Sequence, residues 1–159
     1  MLQQFRVGNY KSINEPVVLD LTPASKYKDK TAGGVFNIDK KNDVLSSAVI
    51  YGANASGKSN LLKAISFMRR FVLKSSKEGQ ATDVIGVSSF LLDNESTKKP
   101  SFFEIIFFVG KTRYRYGFEV DNEQVKTEWL FKTVVREVRL FIRQGEKFKI
   151  TASFKEGKG

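Results

Sequence analysis

Eight consecutive residues, Gly52-Ala53-Asn54-Ala55-Ser56-Gly57-Lys58-Ser59, match the pattern G-x-x-x-x-G-K-[ST] at every fixed position. Each residue type there has a physical task. Gly52 and Gly57 permit backbone angles that a Cβ disfavours, so successive N–H groups can turn inward around phosphate oxygens. Lys58 is long enough to reach β- and γ-phosphates as a mobile point charge, and the Ser59 hydroxyl is placed to ligate Mg²⁺. The chemistry these residues point to is the binding of a nucleoside triphosphate, ATP with magnesium.

Such a loop works only between a strand that delivers it and a helix that follows it. Residues 44–50 are short and largely apolar and run directly into Tyr51-Gly52, as a buried strand feeding the loop would. From Lys58 to about residue 73 the pattern is helical. Leu61, Ile65, Met68 and Val72 form one apolar stripe, with Lys63, Ser66 and Arg70 on another side. The positive N-terminal end of that helix would add to anion binding. Upstream, residues 2–7 and 16–21 read as two short strands, and residues 22–43 as a polar loop.

Residues 74–82 are polar and close the helix. Beyond Pro100 the period changes to two. Arg113-Tyr114-Arg115-Tyr116-Gly117-Phe118-Glu119-Val120 alternates with Tyr, Tyr, Phe and Val on one face, and Val125, Thr127, Trp129 and Phe131 alternate likewise. With residues 105–109, 138–142 and 148–150, and turns at Gly110-Lys111, Asp121-Asn122 and Gln144-Gly145, this predicts an antiparallel meander of four or five strands. The fold class expected is α/β: a strand–phosphate-loop–helix unit in residues 1–75, a linker at 76–100 and an antiparallel β lobe at 101–152, together one partial domain.

The chain has 159 residues, a hydrophobic share of 41% and fourteen Phe, enough for a core. It has neither Cys nor His, which removes thiol and imidazole chemistry and leaves oxygen ligands for any metal. The longest apolar run, residues 105–109, is far short of the roughly 20 residues that span a bilayer. The N-terminus lacks an apolar signal region, so a cytoplasmic location without membrane contact is expected. The net charge of +10 is spread evenly, with 14 basic and 9 acidic residues in 1–98 and 13 and 8 in 99–159. It reads either as a nucleic-acid surface or as an ordinary solvated one.

Three other patterns invite a chemical reading and have a plainer one. Gly110-Lys111-Thr112 imitates the end of a second phosphate loop, but Ile105 stands where the first Gly is needed, so a hairpin turn is expected. Asp20 and the Asp93–Glu95 pair are carboxylates near apolar residues, best read as a strand end and a solvated turn. The arginines and tyrosines of residues 113–116 suit either base stacking or a core face backed by a wet face.

Residues 2–13 with Phe5, Val7, Asn9-Tyr10-Lys11-Ser12 and Ile13, followed by residues 48–65 around the loop, resemble the opening of ABC-type ATPases of the RecF, SMC and OLD-like kind. Residues 114–120 with Glu128-Trp129-Leu130 resemble more closely the AAA/OLD-like ATP-binding proteins of bacterial abortive-infection and anti-phage systems. The resemblance implies ATP and Mg²⁺ as ligands, held by Gly52 through Ser59 with Asn60, and Ser59 as the metal ligand. It also implies Asn54 near the γ-phosphate and Lys11 near the phosphates or base.

Such ATPases complete their sites with a signature segment, a strand ending in Asp-Glu and a switch His, none of which stands in this sequence. The expectation is therefore the N-terminal part of an ATPase that binds ATP but hydrolyses it only with its C-terminal half or a partner subunit of an ATPase dimer. The alternative is a non-catalytic basic module that binds nucleic acid or a partner protein with ATP as structural ligand. A small kinase or GTP switch lacks its base-specificity and acceptor motifs here.

Overall fold

A computed structural model describes residues 1–24, 33–75 and 85–154. Among these residues nine strands and two helices follow one another: β1 (Leu2–Gly8), β2 (Val17–Asp20), β3 (Val35–Asn37), β4 (Asp43–Leu45), α1 (Lys58–Ser75), α2 (Asn94–Thr97), β5 (Ser101–Val109), β6 (Thr112–Val120), β7 (Val125–Thr133), β8 (Glu137–Gln144) and β9 (Lys147–Ile150). Seven strands form one antiparallel sheet in the order β2-β1-β5-β6-β7-β8-β9. The meander from β5 to β9 has five strands, where four or five were expected. The sheet continues through β1, which pairs with β5, so the N-terminal strands and the meander share one hydrogen-bonded surface.

Helix α1 packs across one face of this sheet. Its sequence contains no Gly or Pro, and Leu, Lys, Ala, Met and Arg supply good helix formers. Ala64, Phe67 and Met68 are buried on it, with Leu61, Ile65 and Phe71 partly so. Beneath them lie Phe5, Val7, Phe103, Phe118 and Val120. The rings lock together: Phe67 sits 5.0 Å from Phe103, and Phe71 4.3 Å from Phe118. Each such buried aromatic is worth about 2 kcal/mol of hydrophobic free energy. The expected stripe is therefore rotated by about a residue. Val72 is 36% exposed, because the larger Phe67 and Phe71 take the inward direction.

The far face is different chemistry. Glu104 is only 3% exposed, and it accepts hydrogen bonds from Arg6 Nη1 (3.2 Å), Arg115 Nη1 (3.2 Å) and Trp129 Nε1 (3.0 Å). Arg115 lies 4.2 Å over the Phe131 ring and also grips Glu137. A register shift between Glu119 and Val120 explains why residues 125–131 do not keep one face. Val125 joins the α1 side, whereas Thr127 and Trp129 pair with Glu119 and Gly117 and face the far side. One corner of that far face is covered by the β3–β4 hairpin, through Val44, Leu21 and Phe108.

The segment expected as a single strand over residues 44–50 forms only β4, paired with β3. After the bond from Ser46 N to Gly34 O, residues 47–51 run on without strand pairing, with Val49 72%, Ile50 37% and Tyr51 87% exposed. A strand exists only where a neighbour satisfies its N–H and C=O groups, and among the described residues none lies beside this stretch. The linker residues 76–84 and most of the loop 22–43, at 25–32, lie outside the described residues.

Candidate phosphate site

The loop that ends at α1 is shaped by two left-handed residues and one close approach. Gly57 has φ 91° and Ala55 has φ 63°, both left-handed, while a Cβ on Gly52 would stand 2.7 Å from Ser56 Oγ. Alanine in that region costs about 1 kcal/mol that glycine would not. Lys58 folds back over the loop, and its Nζ donates to Gly52 O (2.7 Å), Ala53 O (2.6 Å) and Ser56 Oγ (3.4 Å). The ammonium thus sits against the residues that form the loop's mouth.

The helix start adds further donors to the loop. Asn60 and Leu61 N–H groups bond to Gly57 O, but among the described residues the N–H groups of Gly57, Lys58 and Ser59 meet no acceptor. No acidic residue occupies the first turn of α1, so nothing in the helix offsets its positive end. Ala53, Asn54, Ala55 and Ser59 are exposed.

A second element meets the loop from the other end of the chain. The turn after β1 is closed by bonds between Tyr10 and Ile13 and by Asn9 N–H to Asn14 O. Asn9 and Lys11 are both left-handed, at φ 49° and 52°. Asn9 is a buried staple: its Nδ2 reaches Ser96 O and Lys99 O at 2.8 Å and Pro100 O at 3.2 Å, and its Oδ1 accepts from Phe90 N–H. The adjoining Tyr10 ring enters the core beside Phe67 and Phe103, and burial pushes its hydroxyl pKa up.

This anchoring holds Lys11 and Ser12 at the loop–helix junction. Ser12 Oγ accepts from Asn60 Nδ2 at 2.7 Å, and a Cβ on Gly57 would come within 3.3 Å of the same oxygen. Lys11 N–H bonds to Ser88 O, and its Nζ lies 5.6 Å from the Tyr10 ring centre. Gly57, Lys58, Asn60 and the turn bearing Lys11 are thus brought together. Asn54 and Ser59 share the loop but have no side-chain bond among the described residues. Ser12 is the contact residue that the sequence does not mark, because nothing in its type foretells a bond to a residue 48 positions away.

The other candidates resolve as structural groups. Asp93 caps α2, accepting from Glu95 N–H, Ser96 N–H and Ser96 Oγ; the Ser96 bond leads in holding its carboxyl below the usual range. Glu95 pairs with Lys98, and Asp20 accepts from Gln4 and from Thr22 N–H at the end of β2. Gly110-Lys111 is the β5–β6 turn, with Gly110 at φ 58°. Around residues 113–116, Tyr114 stacks on Phe107 and Tyr116 donates to Glu128, while Arg115 is engaged as above. Burial, then Glu128, pushes the Tyr116 hydroxyl pKa up.

No group of three or more His, Cys, Asp or Glu among the described residues is placed to hold a metal ion. No described helix is long and apolar enough to cross a membrane. A family model described as "AAA domain, putative AbiEii toxin, Type IV TA system" matches residues 47–154, which takes in the phosphate loop, α1 and the whole meander. No curated protein matches the chain.

Proposed function

Because the chain belongs to this AAA-domain family, we propose that residues 52–60 bind ATP with Mg²⁺ as one part of an ABC-type, OLD-like ATPase. Family membership makes it a P-loop nucleotide-binding domain, and the assignment of individual residues follows from their chemistry. The observation that carries the reading is the set of N–H groups at Gly57, Lys58 and Ser59 that meet no acceptor among the described residues, at the start of a helix with no acid in its first turn. Phosphate oxygens are the acceptors such donors suit.

In this reading Lys58 exchanges its bonds to Gly52 O and Ala53 O for phosphate oxygens and supplies the charge. Magnesium, when bound, would neutralise phosphate charge and rest on Ser59 Oγ together with the nucleotide's own oxygens. Asn54 faces the γ-phosphate, Asn60 braces the loop through Ser12, and Lys11 approaches from the neighbouring turn.

Hydrolysis is proposed to need a complementing segment or subunit. Support comes from exposed apolar side chains at the site: Val49, Ile50 and Tyr51 before the loop, and Leu62 in the first turns of α1. A role in anti-phage defence, to which only the AbiEii name in the family's description points, or in a DNA-related process belongs to the same proposal.

Calorimetric titration of the chain with Mg-ATP, beside Lys58→Ala and with phosphate release followed in parallel, tests this. Binding that Lys58→Ala abolishes, with no turnover, is expected. In EDTA, Ser59→Ala should bind ATP as wild type does, and should lose only the gain that magnesium brings. Absence of binding by a folded chain would overturn the proposal. ATP binding without turnover, joined to a steep salt dependence of nucleic-acid binding, would favour the non-catalytic basic module instead.

A further inference from the structure

The large sheet ends at β9, which among the described residues pairs with β8 alone. The bond from Thr151 N–H to Leu140 O, 2.9 Å, fixes the phase of this ladder. In an antiparallel pair alternate residues bond to one neighbour and the residues between them point away. With Thr151 bonded inward, Lys149 and Lys147 are inward too, and the N–H and C=O groups of Phe148 and Ile150 face out of the sheet.

The side chains alternate in step with the backbone. Phe148 and Ile150 stand opposite Arg143 and Phe141 on the α1 side and remain 51% and 45% exposed. Phe148 lies 5.4 Å from Phe141, which also meets Phe154 at 6.0 Å. Lys147 and Lys149 occupy the reverse face, exposed and without an ion pair among the described residues. An apolar strip thus continues to β9, beside backbone groups that no described residue pairs, with two ammonium groups behind it.

We propose that the open edge of β9 receives an extended polypeptide segment whose residues alternate apolar and acidic. Its apolar residues lie beside Phe148 and Ile150, and its carboxylates lie opposite Lys147 and Lys149. Backbone pairing supplies affinity, and the two faces supply selectivity. Lysines on an edge also discourage indiscriminate pairing; half-exposed Phe148 and Ile150 are what that protective role leaves unexplained. A second copy is the wrong occupant. Residues directly opposite in a sheet share a face, so β9 against β9 sets lysine against lysine.

The probe is a blocked peptide of alternating glutamate and valine, about six residues long, titrated into the full chain while backbone amide NMR shifts are followed. A lysine–valine peptide of equal length is the control. The acidic peptide should bind with shifts confined to residues 147–151 and weaken as salt rises; the basic one should not bind. Ile150→Pro deletes an outward N–H while leaving the inward ladder intact, and should cost about fivefold in affinity. Lys147→Glu with Lys149→Glu, both at exposed positions, should reverse the peptide preference. Equal binding of the two peptides, no binding by the folded chain, or indifference to Ile150→Pro would overturn the proposal. Self-association that Ile150→Pro abolishes would assign the edge to a second copy and overturn it equally.

Discussion

Replacing Asn9 by alanine removes the staple that holds the turn of Lys11 and Ser12 to the rest of the fold. Its Nδ2 carries two hydrogens shared among Ser96 O, Lys99 O and Pro100 O, and its Oδ1 satisfies Phe90 N–H. Those bonds amount to three hydrogens placed, each worth about 1 kcal/mol when the partners stay buried, so about 3 kcal/mol is lost. Alanine at φ 49°, where asparagine is tolerated, adds about 1 kcal/mol. The total, about 4 kcal/mol, is a large share of the 5–15 kcal/mol by which domains of this kind are stable, roughly speaking. Urea unfolding followed by the fluorescence of the single tryptophan, Trp129, reads it directly. Asn9→Gly should recover less than about 1 kcal/mol, since relief of the left-handed strain is offset by glycine's freedom when unfolded. Asn9→Asp should be at least as destabilised as alanine, because a carboxylate oxygen would then face three carbonyls. An Asn9→Ala variant within about 1 kcal/mol of wild type, or an Asn9→Asp variant matching wild type, would refute the reasoning.

Other consequences are as definite. Gly117→Ala places a Cβ 2.5 Å from Trp129 Cζ2 and 2.8 Å from Phe103 O, which should destabilise by about 3 kcal/mol through overpacking and a disturbed indole–Glu104 bond. The cost should shrink in a Trp129→Leu background, and an unchanged cost there would refute the clash. Ala55→Gly should leave Mg-ATP affinity equal to wild type or up to about fivefold tighter, whereas Ala55→Val should weaken it more than about fivefold, because a β-branched side chain suits φ 63° poorly; equal affinities in calorimetry would refute the role of that backbone angle. The Arg115 guanidinium, bonded to Glu137 at 2.7 and 3.1 Å, holds that carboxyl below the usual range. A folded-state pKa that is depressed stabilises above the ordinary carboxylate range and is lost as pH falls through the lowered value. Chemical stability should therefore decline below about pH 4, and Glu137→Gln should flatten that decline; an unaltered slope would count against the pairing.

What the sequence disclosed follows its local physics. The meander was legible because alternation and turn residues are neighbours in the chain, and α1 because its polar and apolar positions repeat at helical spacing. Non-local features were hidden. Nothing in residues 2–8 names β5 as their partner, and the bulge at Glu119/Val120 that turns Thr127 and Trp129 to the far face leaves no mark in a simple alternation. Val44 to Ile50 has strand composition throughout, yet only the part with a partner in β3 forms a strand. At the site, the loop itself was legible as a motif. The motif Asn9-Tyr10-Lys11-Ser12 was legible only as a resemblance, and its physical content is a division of labour: Asn9 staples, Tyr10 fills the core, and Ser12 braces Asn60.

The pairing of β1 with β5 carries a consequence in time. From β5 onward every strand pairs with the next in sequence across a short turn, so the meander closes only small loops. The β1–β5 ladder instead joins Gly8 to Phe102 and Leu2 to Phe107, and the amino group of Met1 reaches Phe108 O across 107 positions. Closing so long a loop is the slow step in a chain of this topology. On a ribosome adding about 5–20 residues per second, residues 1–20 wait several seconds before β5 emerges to receive them. During that interval the phosphate loop and α1 are already made, but the sheet that supports the helix is not. The loop–helix unit around residues 52–60 is thus supported only after β5 has been made, although its own residues precede β5 in synthesis.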